Sequence, residues 1–438
     1  MPKGRLPRAH AARYQTPVTE LVDTTSPAIA AAPRPLASIE TRASWIAASI
    51  VLGLLSVAYG STLIAVVGLK PMTEDLGTTR QLVALASALT WLGTGAGGIL
   101  MGWVAERRGV RFTLIFGAAM IALGLVVSAS GDIWVVLAGH TLFVGLLGNG
   151  AFYPPLLVYV SRWFDRRRGT ALALISSGQY IAGIIWPTLF EEAMSAYGWR
   201  ATMVGFAVIT VVAIPLGALF LQRAPAPPPA FAAADGGRRR RVLGMHPNVV
   251  MGILAAAGFA CCIPMAIPQG HLVAFCSDVG ISAARGAAML SVMTGSALVS
   301  RMLWGWLADR IGGLQTVLAG SVCQAVVIAL FLTTVNEAGL FAIAAAYGFG
   351  FSGIIPAYVV AIRELFPSRE AAWRVPNVLF VSMAGMAVGG WLAGALYDYF
   401  GFYAPAFATG ILFNLINLAL VGFLVLRQRR AGPLPAMA

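Results

Sequence analysis

Long apolar segments alternate with short polar ones along almost the whole chain of 438 residues. Each apolar segment is close to the roughly 20 residues that a helix needs to cross the hydrocarbon core of a bilayer. The pattern therefore predicts twelve membrane-spanning helices, numbered spans 1 to 12 in chain order. Their predicted bounds are 44–69, 81–104, 112–130, 133–160, 169–190, 200–221, 248–275, 286–307, 314–334, 338–362, 374–396 and 403–426.

The segments between and beyond the spans divide the chain. Residues 222–247 combine a proline-rich run with four consecutive arginines, which will not enter a bilayer. We interpret them as a cytoplasmic linker between two six-helix bundles, 44–221 and 248–426. Residues 1–43 show no apolar periodicity, so we predict that they form a disordered cytoplasmic tail. We predict a second cytoplasmic tail at residues 427–438.

Composition supports a membrane protein. Hydrophobic residues make up 58% of the chain and charged residues 11%, whereas soluble domains carry about 25% charged residues. The net charge of +13 does not indicate a nucleic-acid partner, because the arginines lie between apolar spans and not on one soluble face. The four cysteines have no metal-site spacing, so we interpret them as small packing residues and expect no cofactor or metal.

The basic residues also predict the topology. With both termini in the cytoplasm, 25 of the 30 lysines and arginines fall on the cytoplasmic side. This bias is typical of multi-pass membrane proteins. We expect a monomer in the plasma membrane, which in a bacterium is the inner membrane.

One full charge lies within an apolar span. Arg301 interrupts span 8, where an isolated charge costs roughly 2.5–3.5 kcal/mol to insert. It either extends to the nearby headgroups, since Gly305 is one helical turn away, or binds an anionic substrate. The residues alone leave both interpretations open.

A polar turn recurs in both halves. Gly102–Arg111 reads GWVAERRGVR after span 2, and Gly305–Gly313 reads GWLADRIGG after span 8. The turn resembles the signature of the major facilitator superfamily. The resemblance implies an all-α integral membrane protein, with twelve transmembrane helices in two six-helix bundles around a site that opens alternately to each side. It also implies conformational-switch roles for the turn residues Gly102, Glu106, Arg107, Gly109, Arg111, Gly305, Asp309 and Arg310.

A narrower resemblance concerns four shorter motifs, Arg162–Gly169, Gly198–Ala201, His271–Ser282 and Tyr397–Gly401. Together they resemble the monocarboxylate porter family, to which the oxalate–formate exchangers are related. That family places a carboxylate-binding arginine four residues before the span-8 glycine. The resemblance therefore implies that Arg301 binds the substrate carboxylate.

Other polar residues within the spans are candidates for the same site. We expect contributions to substrate binding from the hydrogen-bonding side chains Tyr59, Asn149, Tyr153, Gln179, Tyr347 and Asn377. His271 and His140 are candidates for carrying a coupled proton. For each of these residues the alternative is a hydrogen bond that only holds helices together.

These features predict a secondary transporter of small organic monocarboxylates, lactate-like or pyruvate-like, that is coupled to protons. Ala297 replaces the acid that animal members of the family carry one turn before the arginine, and span 11 lacks the lysine of the oxalate–formate exchangers. One buried positive charge favours a monoanion. The alternatives are a carboxylate exchanger of the oxalate–formate type, a proton-driven efflux carrier for hydrophobic compounds, and a ligand sensor. We find no catalytic triad, metal cluster or phosphate loop, so we expect no enzyme.

Overall fold

The computed structural model describes residues 38–224 and 241–431, which are almost entirely helical. Most of the predicted tails and most of the linker fall outside these residues. The long helices that cross the molecule are Arg42–Val67, Arg80–Arg108, Val110–Ser130, Ile133–Ser161, Gly169–Leu219, Pro247–Asp278, Ala283–Ile311, Gly313–Leu330, Glu337–Leu365, Trp373–Phe400 and Ala404–Arg430.

Eleven such helices are found in the described residues. One of them is interrupted part-way and accounts for two spans, which gives twelve spans in all. The helix through Gly178–Leu219 has a non-helical residue at Gly198, whose φ is 79° and ψ is 163°. A positive φ is readily adopted only by glycine, so this position separates span 5 from span 6. The prediction of twelve spans is confirmed.

Spans 4 and 10 are continuous in the prediction but irregular in the structure. Span 4 contains a π-helix at Gly139–Gly148, and a 3₁₀ turn at Asn149–Ala151 follows it. Span 10 divides into Glu337–Phe351 and Ile354–Leu365. Prolines near both breaks lack an N–H group, which frees carbonyls and lets the backbone change its hydrogen-bond register.

Spans 1–6 and spans 7–12 form two bundles, here called the first and second bundle. They pack together where span 2 meets span 11 and where span 5 meets span 8, as at Gly95 against Phe380 and Gly183 against Thr294. Small residues allow this close approach of membrane helices. Side chains that point outward, such as Ile99 and Val299, are apolar and exposed, as contact with lipid requires.

The spans end at two faces. The terminal face holds Arg42 and Arg430, the first and last residues of the spans. The opposite face holds the loops after spans 1, 3, 5, 7, 9 and 11. Several of these loops start the next helix with a polar cap, as where the Asp132 carboxylate accepts from the N–H groups of Trp134 and Val135.

Candidate functional site

A cavity of about 140 Å³ lies between the two bundles. Its walls come from both halves of the chain and are mostly aromatic or aliphatic. Three methionines, Met265, Met383 and Met386, line its second-bundle side. A smaller space of about 70 Å³ continues it toward the opposite face and shares Tyr59, Trp91, Gln179, Tyr180, Gln269 and Met386 with it.

Arg301 is the one charged residue among the described residues that line this cavity. Its guanidinium carbon lies 5.3 Å from the centre of the Tyr180 ring, on the first bundle. No carboxylate within residues 38–224 and 241–431 forms an ion pair with it. Its neighbours Val299 and Met302 are exposed on the lipid side. Arg301 therefore faces the cavity and not the membrane surface.

Three other predicted residues line the same cavity, Tyr59, Tyr153 and Gln179. The Tyr153 hydroxyl lies 3.1 Å from the Ser176 hydroxyl on span 5, and the rings of Tyr59 and Tyr153 meet edge to face with centroids 6.4 Å apart. Tyr153 begins the helix that follows the irregular part of span 4. The four candidates that the structure brings together thus come from spans 1, 4, 5 and 8.

The other three predicted binding residues lie away from the cavity. This finding corrects the prediction that they belong to the same site as Arg301. Asn149 donates from Nδ2 to the Ser61 hydroxyl at 3.0 Å within the first bundle. Tyr347 is fully buried in the second bundle and donates to the Pro264 carbonyl at 2.8 Å. Asn377 is exposed and donates to the Trp373 carbonyl one turn earlier. Each makes a hydrogen bond that holds helices together or satisfies its own helix.

The two histidines have different surroundings, and neither lines the cavity. His140 is buried in the π-helix, where Nδ1 lies 2.9 Å from the Ser128 hydroxyl and 3.1 Å from the Val136 carbonyl. His271 Nε2 lies 2.8 Å from the Gly390 carbonyl, and Nδ1 lies 3.0 Å from the Tyr403 hydroxyl. Because a carbonyl only accepts, His271 carries a hydrogen on Nε2, and neutral His271 accepts the Tyr403 hydrogen at Nδ1.

His271 belongs to a group of side chains that joins the bundles at the opposite face. This opposite-face cluster consists of Arg80, Asp278, Tyr403 and His271. Arg80 is buried at the start of span 2, pairs through both terminal nitrogens with the Asp278 carboxylate, and donates to the Tyr403 hydroxyl at 3.0 Å. The Tyr403 hydroxyl accepts from Arg80 and donates its own hydrogen to His271.

Further contacts reinforce this face. The Asp398 carboxylate accepts from the backbone N–H groups of Arg80 at 3.0 Å and Gln81 at 2.7 Å. The Arg80 guanidinium also lies 3.8 Å from the centre of the Tyr397 ring. Lys70 lies 3.6 Å from Asp278. The contacts of Arg80, Gln81 and Lys70 with Asp278, Asp398 and Tyr403 join the two bundles, so the molecule is closed at this face.

The two signature turns share one backbone conformation. Gly109 has φ 86° and Gly312 has φ 85°, and both lie between two spans. Arg107 lies over the Trp103 ring at 4.0 Å, and Arg310 lies over the Trp306 ring at 4.2 Å. The internal repeat is therefore confirmed in three dimensions.

The remaining turn residues lie at the terminal face, and within residues 38–224 and 241–431 none of them forms an ion pair with the other bundle. Gly102, Glu106, Gly109 and Arg111 border a cavity of about 480 Å³ there. Asp309 is exposed. A Cβ atom on Gly102 or Gly305 would meet no heavy atom within 4 Å. Neither glycine packs closely against another helix in this state of the molecule, in which the bundles are joined at the other face.

Sequence reasoning missed Arg80, Trp91 and Gln269. The sequence signal for Arg80 was its position as one of the few basic residues outside the cytoplasmic side. Spans 7 and 11 end in acidic residues at the same face, which could have indicated its partners. Trp91 and Gln269 lie in apolar stretches and carried no signal of their own. Gln269 is nevertheless informative in the structure, because its Nε2 atom is buried without a hydrogen-bond partner among the described residues.

Twelve spans in two bundles, a central cavity and a repeated turn are the features of a membrane carrier. The chain belongs to the Major Facilitator Superfamily, whose model matches residues 50–372 and 254–437. It is 25% identical over 351 residues to Monocarboxylate transporter 13 of Bos taurus, covering 78% of this chain and 79% of that protein.

Two other comparisons show the breadth of the family. The chain is 22% identical to the Agnestins efflux protein AgnL12 of Paecilomyces divaricatus, with 72% of each chain covered. A bacterial homologue of the human lysosomal transporter Spinster, in an inward-facing and unoccupied conformation, has a TM-score of 0.60. It is 15% identical, and the match covers 89% of this chain and 96% of that one. This last similarity concerns the fold alone.

Proposed function

We propose that this transporter carries small organic monocarboxylates across the membrane by alternating access, together with a proton. The single observation that carries the proposal is Arg301, which forms no ion pair with the described residues and lies in a cavity whose described lining contains no acid. A half-buried guanidinium without a carboxylate counter-ion favours an anionic ligand. Its planar pair of donors matches the two oxygens of a carboxylate.

The charge of the cavity supports a monoanion over a dianion. One positive charge compensates one carboxylate, and a second carboxylate would be left unpaired in a low-dielectric site. The nearby Tyr153 and Gln179 supply neutral hydrogen-bonding groups that can orient the ligand. This composition disfavours an oxalate-type exchanger, because such a substrate needs a second cation.

Alternating access supplies the mechanism. The opposite-face cluster closes one side in this structure, while the signature turns at the terminal face remain apart. Rocking of the bundles about the cavity would release Arg80 from Asp278 and bring the turns together. With the positive-inside topology, the terminal face is cytoplasmic and this state delivers substrate to the cytoplasm.

His271 is our candidate for proton coupling. A proton on Nδ1 would remove the acceptor of the Tyr403 hydroxyl and add a positive charge near Arg80, which loosens the opposite-face cluster. Replacing His271→Ala should therefore flatten the dependence of uptake on the pH at the opposite face. Uptake by proteoliposomes at graded external pH measures this, and an unchanged profile would remove His271 from the coupling.

Efflux of hydrophobic compounds is a second candidate. The aromatic and methionine lining of the cavity favours it. Under this candidate Arg301 has a structural role only, and neutral compounds should compete with carboxylates for the site.

The test is uptake and counterflow in proteoliposomes with labelled lactate, pyruvate and oxalate, with and without a pH gradient. We expect the two monocarboxylates to be taken up, oxalate to be excluded, and an acidic exterior to accelerate uptake. Accumulation of neutral hydrophobic compounds without any carboxylate flux would instead support efflux.

A further inference from the structure

We propose that the preferred substrate is a single-ring aromatic monocarboxylate with a hydrogen-bond acceptor at the end of the ring away from the carboxylate. This inference rests on the proposed function, since it takes Arg301 as the carboxylate ligand. It goes beyond that function because it assigns the remainder of the cavity to a particular chemical group.

The aromatic and methionine side chains that line the middle of the cavity favour a flat apolar group in the ligand. Trp91, Tyr59 and Met386 lie where the larger cavity meets its extension toward the opposite face. Met265 and Met383 add two further thioethers to the larger cavity. Aromatic rings pack favourably against other aromatic rings and against methionine sulfur. A three-carbon acid bound at Arg301 would leave this wall without a partner.

Gln269 supplies a donor at the far end. Its Nε2 atom is buried and makes no hydrogen bond to the part of the chain that the structure describes, so a ligand acceptor reaches it once the side-chain amide turns into the cavity. Gln269 borders both cavities, whereas Arg301 borders only the larger one. An unsatisfied buried amide is costly, so a ligand acceptor that satisfies it gains affinity. Arg301 and Gln269 thus lie at opposite ends of the aromatic wall.

The helix directions bring these two side chains toward each other. Span 7 ends and span 8 begins at the opposite face, so the two helices are antiparallel. Gln269 lies about 14 Å along its helix axis from Asp278, and Arg301 about 27 Å along its axis from Ala283, at 1.5 Å per residue. Helical side chains lean toward the N-terminus of their helix. Arg301 therefore leans toward the opposite face and Gln269 toward the terminal face, which leaves a gap between them on the scale of one substituted ring.

The volume limits the size of the ligand. About 140 Å³ is well below the roughly 300–1,000 Å³ of pockets that hold drug-sized molecules. This volume favours a compact acid over a fused-ring or long-chain one. One ring with a short carboxylate arm matches both the size and the spacing of polar groups.

The test measures binding to the purified full chain by isothermal titration with three probes, para-hydroxyphenylacetate, phenylacetate and lactate. We expect phenylacetate to bind at least about tenfold more tightly than lactate, because its ring buries apolar area. We expect the para-hydroxyl to add about another tenfold, and Gln269→Met to abolish the difference in affinity between para-hydroxyphenylacetate and phenylacetate. Asn377→Ala, away from the cavity, is the control and should change no affinity.

The outcomes separate the two proposals. Lactate affinity equal to or above that of phenylacetate, lost on Arg301→Gln, overturns the aromatic assignment and leaves the proposed function standing. A para-hydroxyl preference that survives Gln269→Met overturns the role of Gln269. Affinities of all three acids that are unchanged by Arg301→Gln overturn both the proposed function and this inference.

Discussion

Two tyrosines show what decides the role of a single residue here. Tyr153 and Tyr347 both lie within apolar spans and both were predicted to bind substrate. Tyr153 faces the cavity beside Ser176, whereas Tyr347 accepts from Gln324 Nε2 at 3.2 Å and donates to the Pro264 carbonyl inside the second bundle. Membrane helices are apolar on all sides, so the sequence pattern does not mark which face turns to the cavity. That choice depends on packing between helices distant in sequence.

The matched substitutions Tyr153→Phe and Tyr347→Phe should therefore act differently. Tyr153→Phe should raise KM several-fold with little change in unfolding temperature, because only a cavity hydroxyl is lost. Tyr347→Phe should leave KM unchanged and destabilise the protein by about 1–3 kcal/mol, because it leaves buried partners unsatisfied. Uptake kinetics and thermal unfolding of both variants measure this. The reverse pattern would contradict the placement of the two side chains.

At the scale of helices, most of the architecture was predictable. Span 2 was predicted at 81–104, and in the structure it extends over Arg80–Arg108. The two agree because the length and hydropathy of a segment are enough to specify a helix in a bilayer. The π-helix at Gly139–Gly148 was not predicted. Hydropathy carries no information on backbone hydrogen-bond register, and Pro154 and Pro155 mark a break without specifying how far it spreads.

The opposite-face cluster is the helix-scale feature that should control opening. Removing the Arg80 guanidinium leaves Asp278 without its main partner and should favour the state open at the opposite face. We predict that Arg80→Gln speeds labelling of the cavity-lining Cys262 by an impermeant thiol reagent applied at that face. The increase should be at least about tenfold, which corresponds to 1.4 kcal/mol. The measurement uses a background in which Cys262 is the one remaining cysteine.

Arg285→Gln provides the matched control for this experiment. Arg285 also forms an ion pair at the opposite face, but its partner Glu337 belongs to the same bundle at 3.3 Å. Its loss should leave the labelling rate unchanged. Equal labelling of Cys262 in the Arg80 variant and the unmodified background would show that the cluster does not hold this face closed.

At the scale of the whole molecule, the two halves repeat and the structure captures one side of a cycle. The bundles are joined at the opposite face, and the equivalent glycines Gly102 and Gly305 of the signature turns have open space beside them. The repeat itself was predictable from the two turns. The conformational state was not predictable, because the same sequence adopts forms that are closed at either face. The free-energy difference between these forms depends on the contacts between the bundles.

This state predicts a transport defect without a folding defect. Gly305→Leu should be accommodated here, since no atom lies within 4 Å of the added Cβ, and the unfolding temperature should not fall. The larger side chain should obstruct closure of the terminal face, where small residues are needed for close helix approach. Uptake in proteoliposomes should drop at least about tenfold while ligand binding persists. Normal uptake would show that this turn does not close against the other bundle.

The central claim is that the Arg301 guanidinium binds the carboxylate of the transported anion. The most direct measurement is proteoliposome uptake of a labelled monocarboxylate by Arg301→Lys and Arg301→Gln, at matched amounts of folded protein. We predict that both variants lose most uptake, because an ammonium keeps the charge but not the planar pair of donors. Near-normal uptake by either variant would contradict the assignment of Arg301 as the substrate ligand.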